Sequence, residues 1–447
     1  MHLRATTLLL TLAFALPTLA QQQPSVARDI DPSIARVLAE TPAIDNHAHP
    51  MLSPPDDAAD RNFDALPVDN MAPETDPLAW RTDWPALHDA WLALYGFNGT
   101  APLTPAAQQQ LEAARARVKA HEGAHYSQYI LDKANIGTML ANRVSMGTGV
   151  QPPRFRWVPY DDALLFPFDT SALADTPDRA QFFPLEAKVF ADYMKSAGLT
   201  KPPATLTDYL FLVVLPTLSR QKSGGAVAIK FELAYLRPLD IGNPTRAEAS
   251  AIYTKSVEGK KLSSNDYKLL EDYLFRDIAR ECGALSLPIH FHGMAGGGRY
   301  FSIAGVNPLN LEPLLNDPAL KDTNFVLLHG GWPFVHEAGA MLQKPNFYLD
   351  ISQQAILFPA RTLAIWLREW LELYPEKVLF ATDGYPFSSS MGWEESTWLA
   401  ARNAREALGL ALTGMQRDGE ISPERAVQLA HMVLHDNAAA LYRLPNP

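Results

Sequence analysis

Four short apolar runs in this chain each stop on a residue that can bind a metal ion or carry a proton. They are Ile44-Asp45-Asn46-His47-Ala48-His49, Pro288-Ile289-His290-Phe291-His292, Phe325-Val326-Leu327-Leu328-His329 and Val378-Leu379-Phe380-Ala381-Thr382-Asp383. Polar groups set repeatedly where a buried strand ends suggest one shared site. His47 and His49 are two residues apart, so on a strand both imidazoles lie on one face. Neutral imidazoles in a pair suit zinc, manganese or iron. His290 and His292 repeat the spacing. His292, nearer the strand end and just ahead of the Gly-rich turn Gly293 to Gly298, is the expected ligand; His290 is expected one layer deeper, as a hydrogen-bond partner or alternative ligand. His329 is followed by Gly330-Gly331, which would permit close approach of substrate or metal. Asp383 would be costly at the end of so apolar a run unless it coordinates metal or accepts a proton. Capping of a following helix is its competing reading.

Lys230 interrupts Ala226-Val227-Ala228-Ile229, a run otherwise fit for full burial. A buried ammonium needs a partner or a changed pKa. Three readings stand: Lys230 is carboxylated and bridges two metals, it binds a substrate carboxylate as a cation, or it pairs with Glu232 or Asp350. Arg143, Arg156 and Arg237 lie at or just beyond strand ends, where a planar guanidinium could clamp a substrate carboxylate.

These residues need elements that bring them together. Helix-to-strand alternation is clearest in the second half: helices Asn265 to Glu281, Leu309 to Leu315, Phe334 to Leu342 and Arg361 to Leu373 each precede a strand. Such units imply right-handed parallel β/α connections. With Ala43 to His49 as the first, eight strands are expected, near residues 46, 140, 157, 229, 290, 327, 349 and 380. Eight closes a (β/α)8 TIM-type barrel, with extra helices, and collects strand ends on one face. Residues 394–442 read as helical, covering the outside and bottom of the barrel. The stretch 53–135 reads as a loop and helical insertion over the site.

Length and composition allow this. At 447 residues with 47% hydrophobic and 19% charged, the chain is globular rather than disordered or fibrous. A net charge of -11 without basic clusters argues against nucleic acid as a partner. Met1 to Arg4 is basic, Thr6 to Leu16 is almost wholly apolar, and Pro17-Thr18-Leu19-Ala20 is small. Residues 1–20 therefore read as a secretory signal, with 21–447 a single barrel domain that is periplasmic or secreted and membrane-free once the leader is removed. Cys282 is the only cysteine, so no internal disulfide is available. A small-molecule substrate is expected, and a homo-oligomer is compatible.

His47-Ala48-His49 on the first strand, Lys230 on the fourth, His292 on the fifth, His329 on the sixth and Asp383 on the eighth resemble the amidohydrolase superfamily. More narrowly, Asp45 to Pro50, Ile229 to Tyr235, His329 to Pro333 and Tyr348 to Ser352 resemble its amidohydrolase-related branch, which includes the N-terminal domain of FluG-type fungal proteins. The likeness runs from about residue 40 to 440. It implies a distorted (β/α)8 barrel with one or two divalent metals, most simply zinc with manganese or iron as alternatives, held by His47, His49, Lys230, His292, His329 and Asp383. It also implies that Asp383 handles the proton of the hydrolytic water. Two departures stand out: His-x-His on the fifth strand where relatives have a single His, and a segment Pro54 to Gln151 rich in Trp, Pro and Asp. The expected activity is hydrolysis of an amide, peptide-like, ester or lactone bond in a small, carboxylate-bearing substrate. The alternatives are a metal-dependent decarboxylase of the same superfamily and an exported, non-catalytic binding protein.

Overall fold

The computed structural model describes residues 27–66, 81–99 and 102–444. The expected signal segment, residues 1–20, lies outside them, as does part of the expected insertion. Eight parallel strands run in sequence order: β1 (Ala43–Ala48), β2 (Ile136–Asn142), β3 (Phe155–Val158), β4 (Ile229–Phe231), β5 (Ile289–His292), β6 (Phe325–Leu328), β7 (Phe347–Asp350) and β8 (Val378–Leu379). β1 to β3 form one ladder and β4 to β8 another. Single parallel bridges, Trp157 with Ala226 and Tyr160 with Lys230, join β3 to β4. The Asn46 amide donates to the Phe380 carbonyl and the Asp383 amide to the His47 carbonyl, which joins the far side of β8 back to β1. The ring is closed, so no strand edge is exposed.

Alternation along each strand sorts side chains into two layers. On β6, Phe325 and Leu327 face the helices and belong to the large core between barrel and helices, whereas Val326 and Leu328 fill the lumen. The lumen cluster also holds Ile44, Leu140, Val158, Ala228 and Leu379, and it is closed from below by Ala438, Leu441 and Tyr442 of the C-terminal helix Asn437–Tyr442. The barrel is thus filled at its base and leaves its polar residues for the other end.

Several elements are shorter or more broken than expected. The eighth strand was expected to reach Asp383 but pairs regularly only over Val378–Leu379. Asp383 has φ +56°, a left-handed conformation that ends strand geometry. The fourth strand, expected near residue 229, is regular only at Ile229–Phe231. The helical stretch before it contains a π-turn, Leu210–Val214, ahead of its final segment Leu215–Ser223. Pro216 has no N–H to give to the preceding turn, and widening there absorbs the missing bond. The expected C-terminal helix divides into Trp393–Arg417, Pro423–His431, a π-turn at Met432–Asp436 and Asn437–Tyr442.

Within the expected insertion, helices Pro85–Tyr95, Pro105–Glu122 and Tyr126–Lys133 are tied to the segment after β8. Trp91 Nε1 donates to the Ser390 carbonyl at 2.9 Å, Arg115 Nε to Glu395 at 2.9 Å, and the Tyr126 hydroxyl to Glu394 at 2.9 Å. Among the described residues no helix is long and apolar enough to cross a membrane.

Candidate metal centre

His47 and His49 leave β1 toward the C-terminal mouth of the barrel, where both meet Asp383. His47 Nε2 lies 3.1 Å and His49 Nε2 3.5 Å from Asp383 Oδ1, while His329 Nδ1 lies 3.8 Å from Oδ2. The ring centroids of His47 and His329 are 5.1 Å apart, and those of His292 and His329 are 4.7 Å apart. His329 and Asp383 both adopt left-handed backbone, with φ +66° and +56°. Non-glycine residues hold that conformation only where surrounding bonds impose it, and it recurs at functional sites. Here the Asp383 amide is held by the His47 carbonyl at 2.8 Å and the His329 amide by Asp350 Oδ1 at 2.8 Å.

A second layer holds the first. Ser352 Oγ lies 2.8 Å from His329 Nδ1 and donates to Asp350 Oδ1 at 2.5 Å. Asp350 Oδ2 accepts from Asn46 Nδ2 at 2.7 Å. Tyr442, from the helix that plugs the base, donates to Asn46 Oδ1 and meets His290 Nε2 at 2.7 Å. His290 therefore sits one layer below the mouth, in a hydrogen-bonded chain, and His292 is the fifth-strand imidazole beside His329. His292 Nε2 is 2.9 Å from the Met294 carbonyl, which leaves Nδ1 as its lone-pair nitrogen. Because Ser352 sets the ring rotation of His329, Ser352→Ala is expected to weaken metal affinity by ~10- to 100-fold, the usual cost of losing an outer-shell partner. Chelator competition checks this; unchanged affinity would remove Ser352 from the account.

Burial drives the pKa of His47, His49, His292 and His329 well below the ordinary histidine value, with Lys230 adding to the effect at each. All four imidazoles are neutral donors at pH 7. Burial raises Asp383 from 3.8 to about 7, and the Lys230 charge opposes that rise. The donor set fits a divalent ion. His47, His329 and Asp383 each offer an atom within 4.8 Å of the others, all buried. His47 Nε2 and both Asp383 oxygens have no hydrogen-bond partner, a costly arrangement unless a cation lies among them. His49 and His292 flank this triad.

Lys230 is buried and acts electrostatically on every member of the site, yet among the described residues it makes no ion pair or side-chain hydrogen bond. The expected pairing with Asp350 is not formed, since Asp350 is occupied by Asn46, Ser352 and the His329 amide. Glu232 feels the Lys230 charge without touching it. Nor does Asp383 cap a helix, because the next one begins at Trp393. Gly330 serves the turn rather than substrate approach: at φ +58°, an added Cβ would come within 2.7 Å of Gln354 and 2.8 Å of Trp370.

The three arginines expected to clamp a carboxylate are placed otherwise. Arg143 is fully buried; NH1 and NH2 each reach Asp60 at 2.8 Å, Nε donates to the Ser145 carbonyl at 2.8 Å, and NH1 also meets the Pro50 carbonyl. Arg237 is spent on Glu271 at 3.0 Å, Asp272 at 2.7 Å and the Asp240 carbonyl at 3.1 Å. Arg156 is the second residue of β3, not its end, and lines a cavity of about 780 Å³ with Pro42, Ala43 and His431 at the strand starts, the opposite end of the barrel. Spacing alone could not separate a substrate clamp from a structural ion pair. Arg143→Met is expected to cost about 3–5 kcal/mol of stability, because it strands the Asp60 carboxylate, 1% exposed, without its partner. A shift in the urea midpoint at unchanged slope measures it.

Ser352 and Tyr160 carried no expected role of their own. Ser352 and Asp350, the latter expected only as a partner of Lys230, are two apart at the end of β7, the same signature as His47 and His49, and Ser352 could have been found. Tyr160, whose hydroxyl lies 3.0 Å from His49 Nδ1, ends the expected third strand.

Residues 238–444 match the protein-family model described as Amidohydrolase. Protein fluG of Emericella nidulans is 31% identical over 197 residues, which are 44% of this chain and 21% of that protein. The chain thus spans about a fifth of that relative's length. Among solved structures, one described as a metal-dependent hydrolase from Lactobacillus casei superposes with TM-score 0.61 at 19% identity, covering 91% of this chain and 96% of that one. Uronate isomerase from Thermotoga maritima gives 0.61 at 13%, covering 93% and 98%. Glucuronate isomerase from Caulobacter crescentus gives 0.57 at 15%, covering 94% and 97%. At these identities the shared feature is the barrel, on which hydrolases and isomerases both occur.

Proposed function

We propose, from the match of residues 238–444 to the Amidohydrolase family model and from the geometry of the site, that this protein is a metal-dependent hydrolase of amide, peptide-like, ester or lactone bonds in a small molecule. The observation that carries the proposal is Asp383: a buried, unpartnered carboxylate touching two imidazoles and facing a third. His47, His329 and Asp383 would hold the ion, with His49 and His292 beside them; zinc fits this nitrogen-rich set, and manganese or iron are alternatives. Such an ion supplies Lewis acidity toward a carbonyl and lowers the pKa of water. Asp383 takes the proton from the attacking water and returns it to the leaving group, a task open to a carboxylate set beside the ion and the imidazoles. Lys230 steadies the negative charge that Asp383 carries before it accepts the proton. The neutral histidines keep their lone pairs for the ion and compete for no proton at pH 7.

The carboxylate once expected on the substrate loses its support, since Arg143 and Arg237 have no guanidinium face to offer. Export, as residues 1–20 suggest, belongs to the same proposal. The test is turnover of an amide, dipeptide, ester and lactone panel by metal-loaded protein in oxygen-18 water. Label in the product carboxyl supports hydrolysis. Carbon dioxide release, or conversion without label, replaces it with a lyase or isomerase. No turnover, together with a ligand affinity that Asp383→Asn leaves unchanged, would replace it with a non-catalytic binding protein.

A further inference from the structure

Two residues beyond β3, Tyr160 points inward one layer above Val158 of the lumen, where it is 1% exposed. Its backbone is held across the seam between β3 and β4: the Lys230 amide donates to the Pro159 carbonyl at 2.8 Å and the Asp161 amide to the Lys230 carbonyl at 3.0 Å. From helix Pro177–Ser196, the Tyr193 hydroxyl donates to the Tyr160 carbonyl. A phenol so fixed has one polar atom to offer, and that oxygen lies 3.0 Å from His49 Nδ1. Asp64 Oδ2, at 3.9 Å from the same nitrogen, is beyond hydrogen-bond distance, so Tyr160 is the hydrogen-bond partner of Nδ1.

A neutral imidazole carries one N–H, and the place of that proton decides which nitrogen can bind an ion. His49 Nε2 lies 3.5 Å from Asp383 Oδ1, but that oxygen has no hydrogen-bond partner, so a proton on Nε2 meets no acceptor among the described residues. A proton on Nδ1 meets the Tyr160 oxygen. The remaining contacts of His49, T-shaped against the His47 ring at 4.9 Å and the Tyr385 ring at 5.1 Å, set where the ring lies and not which nitrogen is protonated. The χ2 torsion of histidine is broad, so a directional bond is needed to fix the ring edge. His329 has Ser352 for this purpose, and His292 has the Met294 carbonyl.

We infer that Tyr160 is the positioning residue of His49: its oxygen accepts the hydrogen bond from Nδ1, which leaves the lone pair on Nε2, turned toward Asp383. His49 thereby joins His47, His329 and Asp383 as a fourth donor of the metal centre. The inference rests on the metal-dependent part of the proposed function and is indifferent to the bond that is cleaved.

Chelator competition for zinc, run as a double-mutant cycle on the full chain, tests it. Tyr160→Phe, which removes the oxygen and keeps the ring, is expected to weaken zinc binding by about 10- to 100-fold, the usual cost of losing an outer-shell partner. In a His49→Ala background the same substitution is expected to change affinity by less than about twofold, because its target is gone. A tyrosine that serves packing alone would lower both backgrounds alike. Unaltered affinity in Tyr160→Phe, or an equal loss with and without His49, overturns the inference. A second readout leaves Tyr160 in place and decides the matter if Tyr160→Phe does not fold. It is nitrogen-15 NMR of histidine-labelled, metal-free protein, with His49 assigned by the signals lost in His49→Gln. The Nδ1–H tautomer is expected, and the Nε2–H tautomer overturns the inference. Zinc bound as expected with no bond cleaved in any substrate sinks the hydrolase reading alone, whereas turnover with zinc affinity indifferent to Tyr160→Phe sinks this inference alone.

Discussion

Asp383→Asn is expected to lower kcat/KM by ~1,000-fold or more while leaving the fold intact. Removing a general base that also faces the ion withdraws two effects at once, and proton transfer by a placed side chain is alone worth ~100- to 10,000-fold. The substitution conserves volume, so a loss of activity will not reflect a cavity. Its second consequence is visible without turnover. In the metal-free protein, burial holds the Asp383 carboxyl up at about 7, while the four imidazoles are pushed down and already neutral. Below pH 7 an incoming ion must displace the Asp383 proton; above it the carboxylate is free. Metal affinity should therefore fall about tenfold per unit as pH drops below 7 and level off above it. Calorimetric titration of zinc in buffers of different ionisation enthalpy should show about one proton released at pH 6, and Asp383→Asn should abolish that release. Full activity in Asp383→Asn, or a release that survives it, would remove Asp383 from the proton-handling role.

The second large effect is expected from the ion and from His47. Chelation of the purified protein should abolish turnover and restoring zinc, manganese or iron should return it, with the best ion identified by the level regained. His47→Ala should resist such restoration at ion concentrations that saturate the wild type. His47 is one of three residues whose donors converge within 4.8 Å, and its Nε2 has no other partner. The loss also shows in stability. An ion bound only by the folded chain adds about 2.7 kcal/mol at a hundredfold excess over its Kd. The wild type should thus melt several degrees higher with metal than without, and His47→Ala should show no such difference. A His47→Ala protein that binds metal stoichiometrically would move the centre to His49 and His292.

Much of this was open to reading from residues. A strand of period two ending in a histidine or aspartate declares both its direction and its useful end, and this is why β1, β5 and β6 and the residues His47, His49, His292 and His329 were legible. The same rule placed His290 below His292, two residues being one layer of a barrel. It brought Asp383 to the site as well, though not by strand geometry. Asp383 stands beyond its strand, turned by a positive φ, and its amide is held by the His47 carbonyl at the centre. The rule failed for long side chains. Arg143, Arg156 and Arg237 occur at similar places in the pattern, yet a guanidinium reaches far enough that its surroundings are set by the fold: Arg143 and Arg237 are taken by buried carboxylates, and Arg156 lines a cavity at the opposite end of the barrel.

The sequence by itself determined the eight apolar strands and the candidate metal ligands at the ends of five of them, because burial and period act locally and leave their mark residue by residue. Tertiary structure alone decided what surrounds that set. Asn46, His290, Asp350 and Tyr442 come from three strands and the C-terminal helix, and hydrogen bonds join them beneath the centre. No local pattern relates them. Closure of the ring and the plug at its base bring them together, so the polar partners that stand behind the ligands are a property of the fold.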